Sequence, residues 1–309
     1  MIGLPWTAAV PRSDGYYGKT KVAPMAQVKA YPFDLGQVKL LPSPFERAMK
    51  VNQKYLLDLD ADRDVTRENG NHVSKWVNQA PGAPAGALDF VKRDQGRKIA
   101  GSGRPVLKEK VKALKGHSAL VFRQGELVNM DEDAFDGLTT GRGFTWFCVL
   151  SVYPQRVGVK DVNSFFGNLR NGHKYEGLWA NLKDDNTLWT GGRNGITFGR
   201  FDQNNPLIPG LKLETGRYYL VASRMAAGTG RQTIELFVNT PRAVGSGPFP
   251  VNPGANPSRL AVGQERDAIQ HPGHESFDGE IARLLIYEGA LGEEQLATMF
   301  AFLKESYGL

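Results

Sequence analysis

The sequence predicts an all-β protein, an antiparallel β-sandwich of the jelly-roll type with an N-terminal helical extension and a short C-terminal helix. Short apolar runs alternate with turn residues, and the chain holds Gly 36 and Pro 18. Roughly ten such runs follow residue 70 without interleaved helices, which favours a sandwich over a βαβ fold. One run, 144–153, is almost continuously apolar and is bounded by Gly143 and Pro154, as expected of a central buried strand.

The N-terminal part, residues 1–57, is predicted to be an arm followed by a helix, and residues 58–309 are predicted to form the sandwich. Residues 1–30 lack periodicity, which indicates an irregular arm. The helix is predicted to begin at Ser43, because a hydroxyl cap followed by Pro44 and then Glu46 is typical of a helix start. Leu56 and Leu59 continue the helical spacing, so we expect about three or four turns.

Several strands are predicted after that boundary. Residues 73–77 alternate in strand fashion, and the runs 119–122 and 126–128 flank Gln124-Gly125 as in a β-hairpin. Further strands are predicted at 164–169, 175–181, 195–201, 218–225, 233–238, 260–262 and 279–287.

The C-terminal helix carries negative charge in its first turn, at Glu293 and Glu294, where it suits the helix dipole. Gly308 stands where a helix C-cap is expected. An apolar stripe at helical spacing predicts packing against the sandwich rather than a ligand site, and it consists of Leu296, Met299, Phe300, Leu303 and Tyr307.

Composition excludes several classes of protein. Hydrophobic residues make up 41% and charged residues 23%, which is typical of a globular chain. The net charge of +6 is modest, and the spaced lysines of 108–115 are typical of a solvated strand or loop, so we expect no nucleic-acid partner. No apolar stretch reaches the ~20 residues that span a bilayer. Cys148 stands alone within an apolar run, which predicts a buried, inert thiol.

The end of the chain resembles a known family. Residues 277–291, FDGEIARLLIYEGAL, are similar to the closing signature of concanavalin A-like (laminin-G-like) domains. Residues 73–76, 104–107 and 119–122 resemble the start of those domains, so the resemblance covers about residues 58 to 309. It implies a sandwich fold, but not one function, because this fold hosts lectins, adhesion modules, hydrolases and lyases.

A second resemblance is confined to the N-terminal part. Residues 33–40, 43–45 and 52–63 are similar to the N-terminal segment of the bacterial β-L-arabinofuranosidase family. Nothing after residue 65 looks like that family, so its catalytic residues are not carried over. The resemblance implies a bacterial, polysaccharide-degrading context and an extracellular or periplasmic location. Residues 1–10 lack a basic segment and contain Pro5, so they do not form a complete signal peptide.

Catalytic carboxylates are not recognised in the sequence. Glycosidases of this fold carry Glu-x-Asp-x-x-Glu on one strand, which sets the carboxylates on one face. Here Glu275, Asp278 and Glu280 have the spacing three then two, so the motif is absent, although the last two share a face. The acidic group 131–133 suits calcium or solvent better than acid catalysis.

A dense mixture of aromatic and planar polar residues between 171 and 194 predicts a carbohydrate site. Sugars present an apolar face to aromatic rings and hydroxyl groups to planar donors and acceptors. Trp179 and Trp189 flank the turn 183–186 and are expected to be exposed near each other; the alternative is that both lie in the core. The predicted ligand-binding residues are Trp179, Trp189, Tyr175, His173, Asn181, Asp185, Arg193 and Asn194.

The sequence therefore predicts a lectin-like module of a secreted bacterial protein that binds a polysaccharide or oligosaccharide and that can belong to a larger multidomain protein. Calcium is a candidate cofactor, with Asp184 and Asp185 as candidate ligands. Two alternatives remain: a protein-binding adhesion domain, or an enzyme, either a glycoside hydrolase or a polysaccharide lyase. The candidates for enzymatic chemistry are His173, Tyr175, Glu176 and Arg193.

Overall fold

Two antiparallel β-sheets face each other in the computed structural model, which describes residues 54–92, 103–155, 162–170, 174–196, 202–265 and 275–309. One sheet has eight strands in the order β15-β14-β13-β8-β17-β6-β5, with β1 paired to β17. The other has nine strands in the order β12-β11-β10-β9-β16-β7-β4-β3-β2. The predicted sandwich with a short C-terminal helix is confirmed.

The strands of the eight-stranded sheet are β1 (Tyr55–Asp60), β5 (Val106–Lys108), β6 (Ala119–Arg123), β8 (Phe144–Val152), β13 (Tyr218–Met225), β14 (Gly230–Val238), β15 (Ala243–Val251) and β17 (Asp278–Glu288). Those of the nine-stranded sheet are β2 (Val65–Arg67), β3 (Val73–Val77), β4 (Asp89–Lys92), β7 (Leu127–Asn129), β9 (Asn163–Gly167), β10 (Glu176–Leu182), β11 (Thr187–Asn194), β12 (Leu207–Lys212) and β16 (Ala261–Val262). The α-helices are α1 (Gly137–Thr140) and α2 (Glu293–Tyr307). No helix in these described ranges is long and apolar enough to cross a membrane.

The main core lies between the sheets, because alternate residues of each strand point inward. β8 is buried along its whole length, as its continuous apolar run predicts. Trp146 lies at the centre of this core, edge-on to Phe165 and Phe166 with ring centroids 5.9 and 5.2 Å away. The side chain of Cys148 is also buried there, and burial raises the pKa of its thiol, as expected of an inert cysteine.

A second core lies on the other face of the eight-stranded sheet, under α2. The predicted stripe of this helix is buried against residues of β8, β13 and β17, including Phe147 and Leu285. Gly308 adopts the left-handed conformation with φ 73°, and its N–H bonds the carbonyl of Lys304 at 2.8 Å, as a C-cap requires. The helix therefore covers that face of the sheet.

The predicted helix does not reach Leu59. Residues 55–60 form β1, which pairs antiparallel with the second half of β17. Leu56 and Leu59 fit either period in such a short segment, and pairing with β17 decides for the strand. The earlier part of the predicted helix, from Ser43, lies outside the described residues, and the division at residue 57 stays a prediction.

The predicted hairpin around Gln124-Gly125 is wrong. β6 pairs with β5 and β17 in one sheet, whereas β7 pairs with β4 and β16 in the other. The chain does turn there, with Gln124 at φ 61°, but the turn carries it from one sheet to the other. Turn residues predict a change of direction and not the partner of the next strand.

Candidate functional site

The outward side of the nine-stranded sheet brings together most of the predicted site. On β10, Leu178, Ala180 and Leu182 point into the inter-sheet core, so Trp179 and Asn181 point outward. We define the outer face by five residues of β9, β10 and β11, which are Ser164, Trp179, Asn181, Trp189 and Arg193.

The aromatic residues of the outer face are in direct contact. The rings of Trp179 and Trp189 meet edge to face, with centroids 5.1 Å apart and planes at 82°. The guanidinium of Arg193 lies 5.0 Å from the ring centroid of Trp179 and 4.8 Å from that of Tyr175, which is half-buried. Arg193 therefore lies between two aromatic rings in cation–π geometry. The predicted proximity of the two tryptophans is confirmed.

The expectation that the tryptophans are exposed is wrong. Trp179 is 4% exposed and Trp189 is 0% exposed. They do not lie between the sheets either; they form a separate apolar cluster with Val162 and Leu169, against which Tyr175 and Leu207 pack. Their ring faces are thus not open platforms for a sugar.

Two crossings of the chain explain this burial. A Cβ on Gly191 would collide with the carbonyl oxygen of Pro206, which means that the chain before β12 passes over the outer face. A Cβ on Gly167 would lie 2.5 Å from the carbonyl oxygen of Glu265, which accepts a hydrogen bond from the Leu169 N–H at 3.0 Å. The absence of side chains at Gly167 and Gly191 lets both segments approach the sheet closely.

Two buried donors on the outer face have no acceptor among the residues that the structure describes. They are the indole Nε1 of Trp179 and the amide Nδ2 of Asn181. The Oδ1 of Asn181 accepts a hydrogen bond from the hydroxyl of Ser164, which fixes the amide so that its nitrogen remains available. A buried polar group without a partner costs about 1–3 kcal/mol, and native proteins keep few of them.

Three of the predicted ligand-binding residues are not placed with the others. Asn194 has the opposite parity to Arg193 on β11, is fully buried, and donates to the carbonyl of Pro250 at 3.0 Å. Asp185 lies on the exposed β10–β11 turn, where it accepts from the Thr187 N–H at 2.9 Å and lies 3.8 Å from Lys212. Local turn and strand-end bonds therefore account for these two side chains. His173 lies outside the described residues.

The candidate calcium ligands do not converge. Asp184 accepts a hydrogen bond from the Nδ2 of Asn163 at 3.2 Å, and Asp185 is held by its own turn. Within the described ranges no group of three or more His, Cys, Asp or Glu side chains could hold a metal ion. Calcium binding by Asp184 and Asp185 therefore stays a prediction.

Glu265 is a residue of this region that the sequence reasoning missed. It is 1% exposed, and its backbone crosses the outer face at Gly167. Gly263, with φ 89°, turns the chain back after β16 and so brings Glu265 over the sheet. The sequence holds the signal of this reversal, a glycine directly after a short apolar run, but not its direction.

The network around Arg170 holds the rim of the site beside Tyr175. Its guanidinium donates to the carboxylate of Glu132 at 2.8 Å and to the carbonyl of Pro257 at 2.9 Å. Glu176, which directly follows Tyr175, accepts a hydrogen bond from the N–H of Asn256. This bond from the Asn256 N–H orients the Glu176 carboxylate beside the outer face.

The carboxylate of Glu280, on the other sheet, is also engaged. It accepts hydrogen bonds from the Nζ of Lys108 at 2.8 Å and from the hydroxyls of Tyr153 and Tyr218. Burial alone would raise the pKa of Glu280, but these bonds outweigh it and hold the pKa below its ordinary value. Burial and the same carboxylate raise the pKa of both tyrosines, so neither is prepared to act as a nucleophile.

The comparison with solved structures finds matches at low identity and with TM-scores below 0.5. They include the sialidase of Trypanosoma rangeli in complex with 2,3-difluorosialic acid, at 14% identity and a TM-score of 0.47, covering 82% of this chain and 33% of that one. Domain 4 of AbnA, a GH43 extracellular arabinanase from Geobacillus stearothermophilus in complex with arabinotriose, has 20% identity and a TM-score of 0.42, covering 81% and 98%. The CBM40 domain of Ruminococcus gnavus IT-sialidase, bound to α2,3-sialyllactose, has 13% identity and a TM-score of 0.46, covering 63% and 97%.

At these identities and scores the likeness says nothing about the ligand of this chain. The chain spans about a third of the length of the Trypanosoma rangeli sialidase. No protein-family model and no curated protein sequence matches the chain.

Proposed function

We propose that this chain is a carbohydrate-binding, lectin-like module whose site is the outer face of the nine-stranded sheet. The observation that carries the proposal is the pair of buried donors, Trp179 Nε1 and Asn181 Nδ2, which share that face and have no acceptor in the described part of the chain. Carbohydrates are dense in hydroxyl oxygens that accept such hydrogen bonds.

The burial of the indoles changes the mechanism from the one that the sequence suggests. A sugar does not lie flat on two open rings. Its hydroxyl oxygens accept hydrogen bonds from the edge of Trp179 and from the amide of Asn181, while the half-buried ring of Tyr175 supplies apolar contact at the rim. Arg193, stacked between Tyr175 and Trp179, holds these two rings in place and adds a donor.

Binding without bond breaking is favoured over the enzymatic alternative. A glycosidase of the usual kind needs two carboxyl groups flanking one bond. Among the described carboxylates, Glu176 is bound by a backbone N–H beside the face, and Glu280 is bound by Lys108 and two tyrosines on the other sheet. A hydrolase or lyase therefore remains the second candidate, and an adhesion domain is the third. An extracellular or periplasmic location belongs to the proposal.

A panel of soluble polysaccharides tests the proposal by affinity electrophoresis. We expect at least one polysaccharide to retard the protein. Trp179→Phe keeps the aromatic ring and removes one donor, and Asn181→Leu removes the other. Each change is expected to weaken retardation about three- to tenfold, as the loss of one hydrogen bond does.

The matched control is Trp146→Phe, which removes an indole N–H that also lacks a described acceptor but lies in the inter-sheet core. It should leave retardation unchanged. Equal weakening by Trp146→Phe and Trp179→Phe would place the effect in stability and contradict the site. Shortened polysaccharide products after incubation would favour the enzyme, and retardation by no polysaccharide would contradict carbohydrate binding.

A further inference from the structure

The segment Asp202–Pro206, called the strap below, crosses the outer face just before β12. The carbonyl oxygen of Pro206 occupies the space in which a Cβ of Gly191 would stand, and the Nε1 of Trp179 lies 3.1 Å from that same point. Leu207, which directly follows the strap, packs on the cluster of the two tryptophans. The strap thus lies directly beside the Trp179 indole N–H, which has no acceptor in the described ranges.

The strap is closed by hydrogen bonds within itself. The Oδ1 of Asp202 accepts from the N–H of Asn204 at 2.8 Å, and from the N–H and the Nδ2 of Asn205 at 3.0 Å each. The N–H of Asn205 also bonds the carbonyl of Asp202 at 3.1 Å. Because both partners of each bond belong to the strap, these bonds persist if the strap moves as one body.

The strand that follows the strap is the edge of the nine-stranded sheet. Among the described strands of that sheet β12 pairs with β11 alone, and its register is interrupted between Thr187 and Trp189. Pro209 contributes no N–H to the pairing, and both Pro209 and Leu211 are exposed. Ile208 anchors this strand in the inter-sheet core, so local opening is expected of the strap before it rather than of the whole strand.

We propose that the strap lifts from the sheet to admit a carbohydrate to Trp179 and Asn181, and closes over it afterwards. This inference rests on the proposed function, since it explains how a ligand reaches donors that are buried in the closed conformation. The apparent association constant is then the intrinsic constant multiplied by the fraction of molecules in which the strap is open.

Hydrogen exchange of the indole N–H groups, followed by 15N NMR, tests the strap without a ligand. Trp179 and Trp146 carry buried indole N–H groups that both lack a described acceptor, and only Trp179 lies beside the strap. Opening of the strap predicts that Trp179 Nε1–H exchanges at least about 100-fold faster than Trp146 Nε1–H. Exchange of Trp146 requires the two sheets to separate, whereas exchange of Trp179 requires only that the strap open.

Two variants move the strap in independent ways. Gly191→Ala places a methyl group against the Pro206 carbonyl and should hold the strap away. Asp202→Ala removes the bonds that keep the strap in one shape, so that Pro206 is no longer held rigidly over Gly191. Both should accelerate the exchange of Trp179 about tenfold or more and leave that of Trp146 unchanged. Gly254→Ala is the matched control, since its Cβ would meet only Asn252 Oδ1, at 3.4 Å.

The outcomes separate the strap from the proposed function. Equal exchange rates of Trp179 and Trp146 in the unmodified protein, unaltered by either variant, would overturn the strap even if a polysaccharide is retarded. A polysaccharide that binds and slows the exchange of Trp179 selectively supports both. Rapid exchange of Trp179 that no polysaccharide of the panel slows would overturn the admission of a carbohydrate.

Discussion

The two sheets of this sandwich bury their outward sides by different means. On the eight-stranded sheet a helix, α2, covers the apolar part, and the charged part beside it consists of paired groups, such as Glu280 with Lys108 and two tyrosines. On the nine-stranded sheet, crossings of the chain at Gly167 and Gly191 cover a mixed aromatic and polar face. There Trp179 and Asn181 keep donors that have no acceptor among the described residues.

The difference separates structure from function. A polar group that is buried and paired is explained by folding alone, because its hydrogen bonds replace those to water. A donor that is buried without a partner lowers stability, as for Trp146 in the inter-sheet core. On the outer face two such donors, on Trp179 and Asn181, lie together under a crossing segment, and this grouping supports the proposed site there, whereas the side under α2 is explained by paired groups.

Loss of the ion pair between Arg283 and Asp58, on the side under α2, should lower the free energy of unfolding the most. Arg283 donates to both carboxylate oxygens of Asp58 at 2.9 Å, which ties β1 to β17, and its side chain is 13% exposed. Asp58→Ala leaves this guanidinium buried without its main partner and should lower the free energy of unfolding by about 3–5 kcal/mol. Urea denaturation measures it.

The control for that change is Arg142→Met, whose ion pair with Glu288 is 3.4 Å long and largely exposed. It should cost less than about 0.5 kcal/mol. An equally small effect of Asp58→Ala would show that the pairing on this side does not hold the sheet together.

The sequence predicted many of the strand positions, but it missed β11, β12 and β15, and it did not predict the coverage of the faces. Apolar runs located β3, β8 and β13, because a strand buried on one face has apolar residues at every second position and a strand buried on both faces has a continuous apolar run. The same alternation placed Trp179 and Asn181 on one face. Whether another segment crosses that face depends on contacts distant in sequence, so the burial of Trp179 and Trp189 escaped the prediction.

Asp136, beside the network of Arg170, should change the stability of the protein with pH in the opposite direction to Glu280. Burial, together with Asp133, Glu132 and Glu176, raises the pKa of Asp136 to about 7, although Arg170 opposes the shift. A raised carboxyl pKa gives stability that is complete below the ordinary value of about 4 and is lost as the pH rises to about 7.

We therefore expect Asp136→Asn to stabilise the protein at pH 8 and not at pH 4. The carboxyl is only half-buried, so the difference should be on the order of 1–2 kcal/mol. Urea midpoints measured at both pH values check this. A variant that is no more stable than the unmodified protein at pH 8 would contradict the raised pKa.

Glu280→Gln tests the opposite pH dependence, that of a carboxylate whose charge is stabilised on the side under α2. The lowered pKa of Glu280 gives stability that is complete above the ordinary glutamate value of about 4.3 and is lost as the pH falls through the lower folded-state value. The variant should be less stable by about 1–3 kcal/mol at pH 7, and the gap should narrow towards pH 3. A gap that is the same at both pH values would show that the charge of Glu280 contributes nothing.

The smallest expected effect on stability is that of Trp179→Phe. The change removes an N–H that has no described acceptor, so the loss of ring area is partly offset, and we expect a destabilisation of less than about 1.5 kcal/mol. Urea denaturation beside Trp76→Phe is the comparison, because the indole of Trp76 donates to the carbonyl of Asp60 at 2.9 Å. If Trp179→Phe costs more than Trp76→Phe, the Trp179 N–H is bonded in the protein.

The most direct test follows the Trp179 indole resonance in a 15N–1H spectrum while a retarded polysaccharide, or an oligosaccharide cut from it, is titrated into the protein. Recognition on the outer face predicts a saturable downfield shift of the Trp179 Nε1–H signal, which is the sign of a new hydrogen bond, while the Trp146 signal stays in place. A bound glycan that leaves the Trp179 signal unmoved would contradict recognition on the outer face.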